Sequence, residues 1–188
     1  PRVRWEILDA WAEAAEQAGI PRIRDFNTGN NEGSCYFHVN QRKGIRWTTA
    51  KGFLKPALNR PNLKVLTHAT VEKLTLEGKR VTGVSFRQKG SGSRTVTARR
   101  EVILSAGAIG SPMILQRSGI GPGEVLKAAG VEVQHELRGV GENLQDHLQI
   151  RCAYKVSGVR TLNERSQTLW HKAAIALEYA LWRSGPMS

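Results

Sequence analysis

The chain of 188 residues is poor in cysteine and aromatic side chains and has no long hydrophobic run. Cys35 and Cys152 are far apart and fit no metal-binding spacing, which favours free thiols in a reducing compartment. Without a long apolar run, neither a transmembrane helix nor a signal peptide is expected. The composition is otherwise ordinary: 40% hydrophobic and 23% charged residues predict a packed globular core. The first residues and the last both resemble the interior of a longer protein, so we expect a fragment.

The charge is strongly one-sided, with a formal net charge of +12. The densest basic run comprises Lys79, Arg80, Arg87, Lys89, Arg94, Arg99 and Arg100. Such a run is typical of a solvated basic face or of a surface for an anionic partner. Because no zinc, RRM or helix-turn-helix pattern accompanies it, a nucleic-acid partner is not expected. A basic α/β module that binds an anionic polymer stays open as an alternative, as does peripheral association with a membrane.

Apolar residues at helical spacing predict five helices. They lie at 4–18, from Thr48 or Thr49 to about Leu58, at 108–117, at 123–129 and within 166–185. Gly19 is suited to end the first helix, and Pro21 to prevent its continuation. Pro56 disfavours a regular middle in the second. The last helix carries a wide apolar stripe for a core or a subunit contact.

Between residues 62 and 98 the pattern changes to short β-runs. Turn signals at Glu77-Gly78 and Gly90-Ser91-Gly92 divide this region into antiparallel strands. The segment 101–105 has consecutive apolar positions, which predict a parallel strand buried on both faces. A short strand is expected within 131–137, and another after the glycine-containing loop that begins at Arg138.

The small residues Ser105, Ala106 and Gly107 follow the predicted buried strand and precede a predicted helix. Small residues let another group approach the main chain closely, and glycine tolerates the backbone angles of a tight exit. The start of a helix supplies unpaired N–H groups. A strand, a small-residue turn and a helix N-terminus are how α/β proteins approach a nucleotide, although tight turns in packed cores look the same.

A longer pattern separates these alternatives. It consists of Gly107-Ala108, Ser111-Pro112, Ile114-Leu115 and Ser118-Gly119-Ile120-Gly121. This pattern resembles the second signature of the glucose–methanol–choline (GMC) flavoprotein oxidoreductases. The upstream stretch GIRWTTAKGFLKPALNRPNLKVLTHATVEKL and the downstream stretch LRGVGENLQDHL resemble the same family, in the same order. The resemblance covers about 25–187 and is greatest to the choline dehydrogenase branch.

The resemblance implies an α/β fold: part of a doubly wound FAD-binding domain with an antiparallel β-meander, plus part of an α+β substrate-binding domain. It implies that residues 1–50 belong to the substrate or cap region with a connecting helix, 51–147 to the FAD-binding domain and 148–188 to the start of the substrate-binding domain. The implied function is oxidation of the CH–OH group of a choline-like alcohol by hydride transfer to FAD. A lyase that uses FAD only structurally stays open within the family. The expected location is the cytoplasm, with association at the inner face of a membrane as an option.

The resemblance also implies which residues touch the cofactor: Val71, Ser105, Ala106, Gly107, Asn143 and Asp146. Val71 matches the valine whose main chain contacts the adenine, and Ser105–Gly107 match the turn beside the adenosine–pyrophosphate half of FAD. Asp146 has a second interpretation, as the cap of its own loop. No metal site is implied. The family's glycine-rich fingerprint is missing, since Gly139–Leu144 match it only superficially, and the catalytic histidine is expected beyond residue 188. We therefore expect the chain alone to be inactive.

Overall fold

A computed structural model describes residues 4–188 of the chain. Its helices are α1 (Glu6–Gln17), α2 (Lys55–Ala57, directly after a π-helical turn at Ala50–Leu54), α3 (Gly107–Arg117), α4 (Gly123–Ala128), α5 (Leu162–Arg165) and α6 (Leu169–Trp182). Its strands are β1 (Gln41–Arg42), β2 (Ile45–Arg46), β3 (Ala69–Glu77), β4 (Arg80–Gln88), β5 (Ser93–Thr97), β6 (Ile120–Gly121) and β7 (His135–Glu136). None of the helices described has both the length and the hydropathy needed to cross a membrane.

These elements form two compact units. The first combines the described part of Pro1–Leu63 with Arg151–Ser188, and the second is Lys64–Ile150. In the first unit, α1 buries Ala12 and Ala15 on one face. The helix ends as predicted, because Gly19 adopts a φ of 89° and its N–H donates to the Glu16 carbonyl at 3.0 Å. The residue that follows donates to the Ala15 carbonyl at 2.9 Å, which completes a Schellman cap.

The predicted helix after Thr48 forms, but its first part is the wider π-type turn. The Thr48 hydroxyl accepts a hydrogen bond from the Lys51 N–H at 3.3 Å. Because Pro56 has no N–H, a regular α-helical ladder cannot continue through it, and the wide turn precedes it. Elsewhere in this unit, the Tyr179 hydroxyl of α6 donates to the Gly44 carbonyl at 2.9 Å. That bond attaches α6 to the β1–β2 hairpin.

The second unit is built on a three-stranded antiparallel sheet with the order β3-β4-β5. The predicted antiparallel region is therefore confirmed, with Gly78 and Gly90 at positive φ in its two turns. Leu74, Ile114 and Ile120 are buried together and form the core, so that α3 packs on β3. After α3, Gly119 turns the chain at a φ of 81°, and β6 then pairs in parallel with β7.

Two strand predictions are wrong. Residues 101–105 form no strand in the structure, although they were expected to be a parallel strand buried on both faces. Val102 and Leu104 pack against the core, whereas the side chain between them, Ile103, is 77% exposed. The segment after the Arg138 loop also contains no strand, and its residue Leu148 is 94% exposed. A buried strand needs ladder partners, and none lies beside either segment among residues 4–188.

Candidate functional site

The N–H and C=O groups of Val71 are directed to the open edge of the sheet and not to β4, as the strand pairing shows. In the middle strand β4, alternate residues direct their N–H and C=O groups to opposite neighbours. The Thr82 carbonyl accepts from the Ala98 N–H on the β5 side, and the Lys89 N–H donates to the His68 carbonyl on the β3 side. From Gly83 to Gln88, beyond a second irregularity of the β3–β4 pairing, even-numbered residues of β4 therefore bond β5 and odd-numbered ones bond β3.

The pairing of β3 with β4 then gives the direction of each β3 residue. Leu74 pairs with Val84, an even-numbered residue, so its main chain is directed outward. Its N–H in fact donates to the Ser118 hydroxyl at 2.8 Å, on the side of α3. Val71 pairs with Phe86, which is also even-numbered, so its N–H and C=O are directed outward too. Its side chain packs against the core.

A β-bulge at Glu72 makes this arrangement possible. The register shifts between Val71 and Lys73, so that Glu72 is the extra residue. Without the bulge, the side chains of Val71 and Leu74, three positions apart, would lie on opposite faces of the strand. With it, Val71 joins Leu74 on the core face, and the Glu72 side chain is carried to the other face.

The Glu72 carboxylate accepts hydrogen bonds from donors on the other two strands of the sheet, the adjacent β4 and the more distant β5. Oε2 accepts from the Ser93 hydroxyl at 2.6 Å and from the Ser85 hydroxyl at 3.3 Å. Oε1 accepts from the Arg87 guanidinium at 2.6 Å. The Ser93 hydrogen bond, and then the Arg87 hydrogen bond and charge, lower the pKa of Glu72 below its usual value of 4.5. The carboxylate is thus the charged anchor of the bulge.

The turn at Ser105–Gly107 leads directly into α3. Ala106 is the N-cap residue and provides no capping side chain, and its own N–H donates to the Ser111 hydroxyl at 3.0 Å. Gly107 adopts a φ of 86°, which accounts for glycine there. A Cβ built on Gly107 meets nothing within 4 Å, so it is the backbone conformation that requires glycine within the described structure. The first N–H groups of α3 lack a side-chain cap and suit an anion.

The third predicted segment, the loop with Asn143 and Asp146, is attached to α3 at its base. Val140 is buried, and its carbonyl accepts from the Gln116 side-chain amide at 3.2 Å. Asn143 is in the left-handed region with a φ of 55°, which asparagine tolerates. The Asp146 carboxylate accepts from the His147 N–H at 2.8 Å, as a loop cap does, and both predicted residues are exposed.

Helix α3 is therefore the element that holds the three predicted segments in one unit. Its N-terminus is the Ser105–Gly107 turn, Ser118 after its C-terminus bonds β3, and Gln116 bonds the loop. No hydrogen bond joins Val71, Gly107 and Asp146 directly within residues 4–188. The structure thus attaches their elements to a common helix without bringing the side chains together.

Sequence reasoning missed Glu72, Ser118 and Gln116. Ser118 belongs to the signature that marks the family, but its bond to β3 spans 44 positions of sequence and leaves no local signal. Glu72 interrupts the alternation of apolar and polar residues in β3, and that irregularity was the available sign of a bulge. The five histidines are all exposed, and the sequence patterns predict a catalytic role for none of them.

A family model described as GMC oxidoreductase matches residues 4–149. The chain belongs to the GMC oxidoreductase family. FAD is the cofactor of this family, and an α/β FAD-binding domain is its fold. The signatures around α3 and in the following loop, which carried the resemblance, lie within the matched residues.

Several curated relatives of this GMC protein are named oxygen-dependent choline dehydrogenase. One, from Pectobacterium carotovorum subsp. carotovorum (strain PC1), is 49% identical over 79% of the chain and 27% of its own length. Another, from Burkholderia vietnamiensis (strain G4 / LMG 22486), is 41% identical over 95% of the chain and 31% of its own length. The chain therefore spans less than a third of these relatives.

Solved structures agree with this family assignment. An FAD-dependent oxidoreductase from Chaetomium thermophilum superimposes with a TM-score of 0.87 at 28% identity, over 100% of this chain and 33% of its own. A fungal aryl-alcohol oxidase matches with a TM-score of 0.82 at 29% identity, over 96% of this chain and 31% of its own. The chain thus spans about a third of each of these two structures.

Proposed function

We propose that this chain is part of an FAD-dependent dehydrogenase that oxidises the CH–OH group of choline or a similar alcohol. The observation that carries the proposal is the 49% identity to an oxygen-dependent choline dehydrogenase over 153 residues. Those residues include most of the segment that holds the candidate site. Structures of related oxidases and oxidoreductases share the fold at lower identity and are consistent with redox chemistry of this type.

We infer that the chain's own role is to hold the adenosine half of FAD. The outward N–H and C=O of Val71 present one donor and one acceptor side by side, which fits the edge of an adenine. Ser105, Ala106 and Gly107 lead into helix N–H groups that lack a side-chain cap, which fits the adjoining phosphates. Asn143 and Asp146, on the loop tied to α3, are proposed to bond polar groups of the same cofactor.

When bound, FAD supplies the acceptor for the hydride of the alcohol. The residues of this chain bind and orient it, and none of them is assigned a proton-transfer role. All five histidines are exposed, and the general base is proposed to lie outside residues 1–188. We propose the same domain assignment as above, with residues 51–147 in the FAD-binding domain and 1–50 and 148–188 in substrate-side regions.

The test uses the complete protein, purified and examined by absorption spectroscopy without oxygen. Bound flavin is expected to give a yellow protein, and choline is expected to bleach the flavin band. Ethyltrimethylammonium, which lacks the hydroxyl group of choline, is expected to leave the band unchanged. A yellow protein whose flavin no alcohol bleaches would favour the lyase alternative. A colourless protein that binds heparin with a steep salt dependence would favour the anionic-polymer module instead.

We further infer peripheral association with the inner, anionic face of a cytoplasmic membrane. All seven residues of the basic run are exposed, although Arg87 is engaged by Glu72. Basic side chains near an anionic lipid surface each favour binding modestly, and salt weakens the effect. Co-sedimentation of the complete protein with phosphatidylserine vesicles at low salt, and its loss at high salt, is expected. Equal sedimentation with neutral vesicles would contradict it.

A further inference from the structure

We propose that Glu72 is a positioning residue for the adenine half of FAD, because it anchors the bulge that turns the Val71 main chain outward. The proposal rests on the proposed function, in which Val71 contacts adenine. It assigns to Glu72 no contact with the cofactor. It assigns the effect to register: which residue of an edge strand directs its N–H and C=O away from the sheet.

The geometry of the bulge makes the register depend on one residue. In β3, the main chain of Leu74 is directed outward and its N–H donates to Ser118, which fixes the direction of the main chain at that residue. If the strand continued from Leu74 without a bulge, the N–H and C=O of Glu72 would be directed outward, and those of Val71 would be directed toward β4. The extra residue reverses this, and only then does Val71 present a donor and an acceptor at the outer edge.

The cluster around Glu72 stabilises the bulged register specifically. Its three donors come from two strands, with Ser85 and Arg87 on β4 and Ser93 on β5. Ser85 and Ser93 are also within hydrogen-bond distance of each other, 3.1 Å between their hydroxyl oxygens. All three lie on the face opposite the core, so the carboxylate reaches them only when the bulge carries it there. In an unbulged strand the same carboxylate would lie on the core face with Leu74, which is unfavourable for a charge.

The experiment compares binding of the two halves of the cofactor to the complete apoprotein. AMP probes the adenine end and FMN probes the flavin end, each titrated by fluorescence or calorimetry. Glu72→Ala is expected to weaken AMP binding about tenfold, the equivalent of about one neutral hydrogen bond, and to leave FMN binding unchanged. Glu72→Gln keeps an oxygen that accepts from Ser93 and is expected to restore most of the AMP affinity.

Glu77→Ala is the matched control, because Glu77 is an exposed carboxylate on the same strand and lies beyond the bulge. It is expected to leave both affinities unchanged. Ser93→Ala removes the donor of a 2.6 Å bond and provides a milder variant, expected to weaken AMP binding about threefold.

The outcomes separate this proposal from the proposed function. Wild-type apoprotein that binds neither FAD nor AMP would overturn the proposed function, and the role of Glu72 with it. Wild type that binds FAD, together with a folded Glu72→Ala protein of unchanged AMP affinity, would overturn the role of Glu72 alone. Equal weakening of AMP and FMN, or failure of both Glu72→Ala and Ser93→Ala to fold, would reduce the cluster to a stability element and also overturn it.

Discussion

The two outer strands of the sheet in the second unit differ in how their edges are treated. β5 has five residues, all exposed, with Arg94 in its interior. Short length and a charged side chain are the usual means of keeping an edge from pairing with other chains. β3 has nine residues, packs against α3 and has its Leu74 N–H bonded by Ser118. The β5 edge is thus short and charged, whereas the β3 edge is packed against α3 and hydrogen-bonded by Ser118.

The difference bears on the proposed adenine contact, which uses the register of the strand and not the side chain of Val71. Val71 carries an apolar side chain that packs in the core, so nothing in its chemistry marks a binding residue. Its position relative to the Glu72 bulge turns its main chain outward. On β5, the corresponding outward main-chain groups belong to exposed serine and threonine residues, and the described pairing of β5 with β4 contains no bulge.

The largest effect on the β3 edge is expected from disrupting the turn that follows α3. A Cβ at Gly119 would lie 2.5 Å from the Glu132 carbonyl, and its φ is 81°. Gly119→Ala is therefore expected to destabilise the domain by about 3 kcal/mol, from combined strain and overpacking. Gly130 is the control, since it has a φ of 70° with nothing within 4 Å. Gly130→Ala is expected to cost about 1 kcal/mol. Equal thermal unfolding midpoints for the two variants would contradict this account.

Removing the Ser118 hydroxyl tests the link between α3 and β3 directly. Ser118 is buried, and its Oγ both accepts from Leu74 and donates to the Ile114 carbonyl at 2.6 Å. Ser118→Ala leaves the Leu74 N–H without this partner and is expected to cost about 2 kcal/mol. Exposed Ser91 provides a control, since Ser91→Ala is expected to change the unfolding free energy only slightly. A wild-type denaturant midpoint for Ser118→Ala would show that the link is dispensable.

Gly107→Val tests the turn at the start of α3, and Arg94→Ala on the β5 edge is the variant compared with it. A β-branched residue is strained at a φ of 86°, so the helix N-terminus is expected to shift. The complete protein with Gly107→Val is expected to retain less FAD than Arg94→Ala, since Arg94 is an exposed residue of β5. The ratio of flavin to protein absorbance after purification measures this. Equal ratios would argue against a role of the turn in holding FAD.

The smallest effect expected is the pH dependence of the Glu72 anchor. Its pKa in the folded protein lies below 4.5, mainly because of the Ser93 hydrogen bond and then Arg87, the charged group that faces it. The carboxylate therefore contributes its full stabilisation above pH 4.5, and the contribution is lost as the pH falls through the folded pKa. The unfolding midpoint of wild type is expected to exceed that of Glu72→Gln at neutral pH, with a gap that narrows below this range. A gap independent of pH would contradict the assignment.

Sequence patterns predicted the features of this fold that depend on neighbours along the chain. The helix ended by Gly19 and the turns at Gly78 and Gly90 are local events, and all three formed as expected. The strand at 101–105 was predicted from its consecutive apolar positions. Its formation depends on partners that residues 4–188 do not provide, and Ile103 is accordingly exposed.

The candidate site divides in the same way. Val71, Ser105–Gly107 and Asn143 with Asp146 were identified by resemblance, and the structure places them on elements joined to α3. The bonds that join those elements come from Ser118 and Gln116 and connect residues far apart in sequence. The Glu72 carboxylate accepts from hydroxyl and guanidinium donors on two other strands, and no local sequence period encodes these contacts.

The most direct test of the central claim, that the β3 edge binds the adenine of FAD, is amide hydrogen exchange in the complete apoprotein with and without AMP. AMP is expected to slow exchange at the Val71 N–H and to leave exchange at the N–H of Thr95, on the outer edge of β5, unchanged. The Leu74 N–H, already bonded to Ser118, is expected to be protected in both states. Saturating AMP that leaves Val71 exchange unchanged, or slows Val71 and Thr95 equally, would contradict the claim.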